Sequence, residues 1–274
     1  MCRLTLLTCL FFVFSSSPLR ASPSAELWAT WDVHDANSTT EMDHSLWQSV
    51  LSKYVIENED QINRVDYEGL MKSPARQNLK RYIAQQTSID PRKYNRQEQL
   101  AYWINLYNAL TVELVLNYPE KSSIVRMGEK FFSFGPWDEK VASIVGEEVS
   151  LNDIEHRILR PIWRDRRIHF AVNCASIGCP NLLRQAYGAE NMQALLNFGE
   201  AQYINHARGV SFSGRGRLRI SSIFDWFAND FAATDKALLV YLSEHHKSQA
   251  ARILEYDKSI DYEYDWRLNS KIAR

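Results

Sequence analysis

The chain has 274 residues, of which 45% are hydrophobic, 24% are charged and 12% are aromatic. Its 32 basic residues nearly balance its 33 acidic residues, which argues against a dedicated nucleic-acid-binding protein, because such proteins usually carry a basic excess. The composition also excludes intrinsic disorder and collagen-like repeats. It predicts a compact, aromatic-rich protein with one sizeable core or two small ones.

The N-terminus has the pattern of an export signal. Arg3 is followed by an apolar stretch from Leu4 to Phe14 and then by small residues up to Ala21, the order of a secretory signal peptide. The stretch is shorter than the roughly 20 apolar residues of a membrane-spanning helix, and no later segment reaches that length. We therefore expect a signal peptide over residues 1–21 and a secreted or periplasmic mature protein without a stable membrane span.

A polar lead-in over residues 22–42 precedes the first predicted helix. Apolar residues at three- and four-residue spacing predict one helix that begins near Asp43 and another around Leu79. The strongest helix is predicted over residues 97–117, and it ends before Pro119 because proline lacks a backbone N–H. It is apolar around most of its circumference, which predicts a central position in the fold.

Short strands and further helices are predicted over the second half of the chain. The predicted strands cover residues 141–145, 148–151, 168–174, 210–213, 218–221 and 262–266. The predicted helices cover residues 151–160, 223–231 and 236–245, with another that begins at Pro180 and has Cys179 at its cap. Strands in hairpins favour an α+β fold. We predict a single domain over residues 43–267, with the central helix packed on a small, mainly antiparallel sheet.

Residues 166–180 hold the densest group of chemically reactive side chains. This segment reads RRIHFAVNCASIGCP, with one histidine and the two cysteines that remain after the predicted signal peptide. The sequence has no phosphate-loop, dinucleotide-binding, zinc-protease or serine-nucleophile motif, and no residue spacing in it indicates a metal or an organic cofactor. As a thiolate Cys174 would be a nucleophile, provided that a histidine, a cation or a helix N-terminus lowers its pKa.

Two histidines and a glutamate are candidate partners of the Cys174 thiol. His169 lies five positions earlier, on the opposite face of a regular strand, which favours His156 on a separate helix as the base. Glu155 falls on the apolar side of that helix. A buried carboxylate needs a partner, so we expect Glu155 to bind His169 or an arginine.

The same residues also have structural interpretations. Cys174 and Cys179 could close a tight loop as a disulfide, which would stabilise the fold by about 2 kcal/mol. Glu155 could instead fix its helix through an arginine. Asn105 and Asn108 share a face of the central helix, and their amides could bind backbone rather than a substrate carbonyl.

Three blocks of the chain resemble the family called domain of unknown function 547. They read AYWINLYNALTVELVLNYP, SLNDIEHRILRP and HFAVNCASIGCPNL, and they follow the order and spacing of the family over residues 97–207. The family includes exported bacterial proteins and is similar to papain-like thiol hydrolases, although the central helix here lacks their cysteine. In the family pattern the cysteine at position 174 recurs whereas position 179 can be serine, which implies that Cys174 is the reactive thiol.

Two functional hypotheses follow. In the first, the chain is an exported thiol-dependent hydrolase or transferase that acts on an amide or peptide bond of a small-molecule or peptide substrate. Cys174 is then the nucleophile, with His156 or His169 as the base. Glu155 is the orienting carboxylate and Asn108 donates to an oxyanion or orients the substrate. In the second hypothesis, the chain is a non-catalytic binding domain with a Cys174–Cys179 disulfide.

Overall fold

The computed structural model describes residues 24–128 and 135–272, so the predicted signal peptide over residues 1–21 lies outside the described residues. The α-helices are α1 (Ser45–Tyr54), α2 (Tyr67–Met71), α3 (Ala75–Thr87), α4 (Arg96–Asn117), α5 (Arg160–Trp163), α6 (Met192–Ile204), α7 (Ile223–Trp226), α8 (Ala228–Phe231), α9 (Asp235–His245) and α10 (Ala250–Leu254). A π-helix covers Asp153–Leu159 and continues into α5. Short 3-10 helices cover Ala29–Trp31, Pro91–Lys93, Ile124–Arg126 and Arg166–Phe170.

The strands are short and form separate small sheets. They are β1 (Val55–Ile56), β2 (Arg64–Val65), β3 (Lys140–Ile144), β4 (Glu147–Ser150), β5 (Val210–Phe212), β6 (Leu218–Ser221) and β7 (Asp261–Glu263). Strands β1 and β2 pair antiparallel, as do β3 with β4 and β5 with β6, whereas β7 runs parallel to β6. Both predicted hairpins are therefore confirmed, and the α+β class is confirmed with them.

The helix α4 is the centre of the fold. It begins where the Asn95 side chain accepts hydrogen bonds from the N–H groups of Gln97 and Glu98, and it ends before Tyr118 and Pro119 as predicted. Most of its side chains are buried. It packs mainly against α2, α3 and the π-helix, which corrects the expectation that it packs on a sheet. A helix of 22 residues is far longer than the strands, so the other helices must cover most of it.

The predicted strand over residues 168–174 is wrong. The Asp165 side chain accepts a hydrogen bond from the Arg167 N–H and starts the 3-10 helix Arg166–Phe170, after which the chain continues as a loop. Residues 168–172 are all buried, with Ile168 in the larger apolar core around α4 and Phe170 in a smaller core around Phe224. An alternating sequence signals a strand only when one face is exposed, and this segment lies between two cores.

The predicted helix at Pro180 is also wrong, because the next helix in the chain, α6, begins at Met192. The Cys179 N–H donates to the carbonyl of Ser176, and this turn closes the loop after Cys174. No helix in the described residues is long and apolar enough to cross a bilayer.

Candidate functional site

The loop that carries Cys174 is held on one side by α4. The Asn108 amide donates to the Ala171 carbonyl at 3.0 Å and accepts from the Asn173 N–H at 2.8 Å. Asn105 makes the same pair of bonds to the backbone of Tyr187, at 2.7 and 3.1 Å. Both amides therefore bind backbone, which fits their structural interpretation, and Asn108 orients the peptide just before Cys174.

The segment 264–269 holds the other side of the loop. The Ile177 N–H donates to the Arg267 carbonyl at 2.8 Å, and the Asn269 N–H donates to the Ala175 carbonyl at 3.0 Å. Ala175 has a φ of 60°, in the left-handed region that a residue with a Cβ rarely adopts. Its N–H donates to Asn173 Oδ1 at 2.9 Å. These contacts fix an unusual backbone conformation next to Cys174.

Gly178 allows the close approach of that segment. A Cβ added at Gly178 would lie 2.8 Å from the Asp265 nitrogen and 3.0 Å from the Tyr264 ring. The Gly178 N–H also donates to the Asp265 carbonyl at 2.8 Å. Only glycine brings the Cys174–Cys179 loop this near to Tyr264.

The Cys174 sulfur lies within hydrogen-bond distance of three groups. It is 3.1 Å from the Tyr264 hydroxyl, 3.3 Å from the Ser176 hydroxyl and 3.2 Å from the Cys179 sulfur. The sulfur–sulfur distance exceeds the bond length of about 2.05 Å in a disulfide, so both cysteines are free thiols. Cys174 is partly exposed, whereas Cys179 is buried and accepts a hydrogen bond from the Cys174 N–H at 3.0 Å.

The same contacts shift the pKa values of the two thiols in opposite directions. The Cys179 thiol, together with the hydroxyls of Ser176 and Tyr264, outweighs the effect of burial and lowers the pKa of Cys174 to about 7. Burial and the neighbouring Cys174 raise the pKa of Cys179. Burial also raises the pKa of Tyr264, which keeps its hydroxyl protonated as a donor at neutral pH. Cys174 is therefore the more nucleophilic of the two thiols near neutral pH.

A buried ionic cluster lies on the π-helix side of the 3-10 helix Arg166–Phe170. It consists of Glu155, His156, Arg160, His169 and Asp230. His169 lies between two carboxylates, with Nδ1 3.7 Å from Glu155 Oε1 and Nε2 2.7 Å from Asp230 Oδ2. Arg160 Nε lies 2.6 Å from the same Asp230 oxygen, and Arg160 also contacts His156 Nδ1 at 3.1 Å. The expected partnership of Glu155 with His169 is present.

Charge in this cluster is balanced by close partners. Burial opposes ionisation of Glu155, but His156, His169 and Arg160 outweigh it and lower the pKa of Glu155 to about 2. The Tyr107 hydroxyl donates to its second oxygen at 3.1 Å. Burial lowers the pKa of His156. The cluster thus holds a carboxylate ionised inside the fold.

Neither histidine of the cluster is among the groups in hydrogen-bond contact with the Cys174 sulfur, which are a thiol and two hydroxyls. His169 is instead stacked on Phe227, with the ring centres 4.2 Å apart. The assignment of His156 or His169 as the base of Cys174 therefore stays a prediction. His169 reaches the thiol loop through the backbone, since it lies in the 3-10 helix that leads into it.

A cleft of about 520 Å³ lies beside the thiol loop. Gly178 and Tyr264 line it, so the residue whose hydroxyl contacts the Cys174 sulfur also forms part of the cleft wall. Trp266 lines it as well, with its ring centre 4.5 Å from that of Tyr264. The part of the chain that the structure describes has no group of three or more His, Cys, Asp or Glu residues placed to hold a metal ion.

Sequence reasoning missed Tyr264 and Asp230. Both follow the family-like blocks by many positions, and no spacing relates them to Cys174 or His169. Ser176 lies inside the reactive segment, and its position two residues after Cys174 could have indicated it. Tyr264 comes near Cys174, and Asp230 comes near His169, only through the folding of the chain after α6.

We expect Asn108→Ala to lower the free energy of unfolding by about 2–4 kcal/mol, because it leaves a buried N–H and a buried carbonyl without partners. Asn117→Ala is the control, since Asn117 lies at the exposed end of the same helix. Urea denaturation of both variants measures the difference. Equal losses would show that Asn108 does not hold the loop.

Comparison with known proteins finds one family. Residues 91–204 match the family model described as "Protein of unknown function, DUF547". This range includes α4, the π-helix, the whole thiol loop and four members of the buried ionic cluster. No curated protein matches the chain, and no solved structure does.

Proposed function

The chain belongs to the DUF547 family, whose description gives no activity, and from its geometry we propose that it is a thiol-dependent enzyme with Cys174 as the nucleophile. The reaction that we propose is acyl transfer from an amide or peptide bond to water or to another acceptor. Cys174 is partly exposed in a loop beside a cleft, and its sulfur lies within hydrogen-bond distance of two hydroxyls and a second thiol; this is the observation that supports the proposal.

In the proposed reaction the Cys174 thiolate attacks the substrate carbonyl. A carbon–sulfur bond forms and the carbon–nitrogen bond breaks, so that the amine leaves with a proton. Water then cleaves the thioester, which releases the carboxylic acid and restores the thiol. In this proposal the proton that the Cys174 thiol gives up passes through the Tyr264 hydroxyl, which contacts the sulfur, to the leaving amine.

Glu155, His156 and His169 have a different part in this proposal. They contact one another and Asp230 rather than the sulfur, so we assign them as positioning residues that act through the 3-10 helix Arg166–Phe170. Asn108 has the same kind of part, because its amide holds the backbone at Ala171 and Asn173.

The experiment uses para-nitrophenyl acetate as the acyl donor. We expect Cys174 to be acetylated and then deacetylated, with release of more than one equivalent of nitrophenolate for each protein molecule. Mass spectrometry would detect an acetyl group on Cys174 during turnover. Cys174→Ser should lose this turnover and Cys179→Ser should keep most of it, because serine retains a hydrogen-bond donor beside the sulfur. A stable acetyl group on Cys174 without turnover would contradict the proposal.

The proximity of the two sulfurs favours thiol–disulfide exchange as a second candidate function. A thiolate on a partly exposed residue and a second thiol on a buried residue, 3.2 Å apart, are the two groups that this exchange requires. Cys174 would attack a substrate disulfide and release one thiolate. Cys179 would then attack the mixed disulfide, which releases the second thiolate and leaves a Cys174–Cys179 disulfide. Reduction of a dithiobis-nitrobenzoate reporter that depends on both cysteines would support this function over acyl transfer.

Export is also proposed, from the sequence alone. A signal peptide over residues 1–21 would place the mature chain in the periplasm or outside the cell. The N-terminal sequence of the protein recovered from a secreting host tests it, and a chain that retains Met1 would contradict it.

A further inference from the structure

Arg208 lines the cleft as a cation without a carboxylate partner. It lies between α6 and β5, the residue is half-buried, and the Nε of its guanidinium is fully buried. Its Nη1 donates to the Ile177 carbonyl at 3.1 Å and its Nη2 to Asn181 Oδ1 at 2.7 Å. Within the described ranges 24–128 and 135–272, no carboxylate lies within 4.0 Å of this guanidinium.

The hydrogen-bonding capacity of Arg208 is only partly used. A guanidinium has five N–H donors, and its Nε is buried without any hydrogen-bond partner. The nearby Tyr203 ring, 5.4 Å from the guanidinium carbon, gives cation–π contact but no counter-charge. A half-buried charge without a counter-charge is costly for the fold, so an anion that enters the cleft would be favoured.

The other charged residues that line the cleft do not neutralise Arg208. Arg219 is paired with Glu263 at 2.8 Å, and Arg267 is paired with Asp265. Arg126, at the end of the 3-10 helix Ile124–Arg126, is exposed and has no carboxylate partner among the residues that the structure describes. Among the described residues that line the cleft, cations therefore outnumber anions by two.

We propose that this cleft is a binding site for a ligand with a carboxylate or phosphate group, which Arg208 binds with help from Arg126. Guanidinium groups bind the oxygens of both anions through paired N–H donors. The site is joined to the thiol loop twice, because Arg208 bonds to Ile177 and Tyr264 forms part of the cleft wall. The inference that this anion is part of the substrate of Cys174 rests on the proposed function. The inference that the cleft binds an anion does not depend on it.

The test compares three probes by calorimetric titration at constant ionic strength. They are acetyl-dialanine with a free carboxylate, the same dipeptide as its C-terminal amide, and inorganic phosphate. We expect the acid or phosphate to bind about tenfold or more tightly than the amide, since one charge-assisted contact accounts for at least that ratio. Preference for the acid would identify a carboxylate ligand, and preference for phosphate would identify a phosphate ligand.

The variants identify the residue responsible. Arg208→Gln should abolish the preference, whereas Arg219→Gln should leave it nearly unchanged because Arg219 is already paired with Glu263. Arg126→Gln should weaken binding severalfold, and it serves as the test if Arg208→Gln does not fold. Equal binding of acid and amide with no phosphate binding, or wild-type binding by Arg208→Gln, would overturn the proposal. The titrations are repeated with Cys174→Ser, so that anion binding is judged apart from any catalysis.

Discussion

Replacement of Glu155 by alanine is expected to lower the free energy of unfolding by about 3–5 kcal/mol, because it removes one partner of a buried ionic group and leaves the others uncompensated. The carboxylate is buried and has His169, His156 and Tyr107 around it. Chemical denaturation at neutral pH measures the loss. Lys72→Gln, which breaks an exposed pair with Glu68, is the control and should cost less than about 1 kcal/mol.

The pH dependence of this loss of stability distinguishes the contribution of the Glu155 charge from that of its packing. Since the pKa of Glu155 is lowered from 4.5 to about 2 in the folded protein, its ionised form stabilises the fold above about pH 4.5. That stabilisation is lost as the pH falls through about 2. The wild type and Glu155→Ala should therefore become more similar in stability over this range. A difference that stays constant down to pH 2 would indicate that the lost packing, rather than the lost charge, is responsible.

Alkylation of Cys174 by iodoacetamide is expected to follow a pH profile with its midpoint near 7. An ordinary thiol, with its pKa near 9, is almost fully protonated at that pH. Tyr264→Phe keeps the aromatic ring but removes one of the donors to the sulfur, so its midpoint should move upward by about one pH unit, the size of effect that one such hydrogen bond has. The measurement is the rate of Cys174 modification as a function of pH, followed by mass spectrometry.

Tyr262→Phe is the matched control, because Tyr262 precedes Tyr264 by two residues and is not among the hydrogen-bond partners of either thiol. Its profile should coincide with that of the wild type. Cys179 should remain unmodified at neutral pH, since it is buried and its pKa is raised. A midpoint near 9 for the wild type, or identical profiles for Tyr264→Phe and the wild type, would contradict the role of Tyr264.

Long-range geometry explains where sequence reasoning failed. The stretch 168–174 has an alternating pattern, yet apolar cores lie on both of its sides and its backbone turns as a 3-10 helix. The alternating pattern therefore predicted the wrong secondary structure for this stretch. The histidine base of Cys174 stays a prediction, and the groups that contact the sulfur are the Tyr264 hydroxyl, the Ser176 hydroxyl and the Cys179 thiol.

Local chemistry was enough to predict the buried central helix with its proline end, both hairpins, the α+β class and the likeness to DUF547, because each depends on residues close together in the chain. Folding alone decided which groups surround the Cys174 sulfur and which cations of the cleft have no carboxylate partner among the described residues. Tyr264 and Arg208 reach the thiol loop through contacts across 90 and 31 positions of the chain. Contacts over such separations depend on how all the elements pack, and no local pattern in the sequence carries that information.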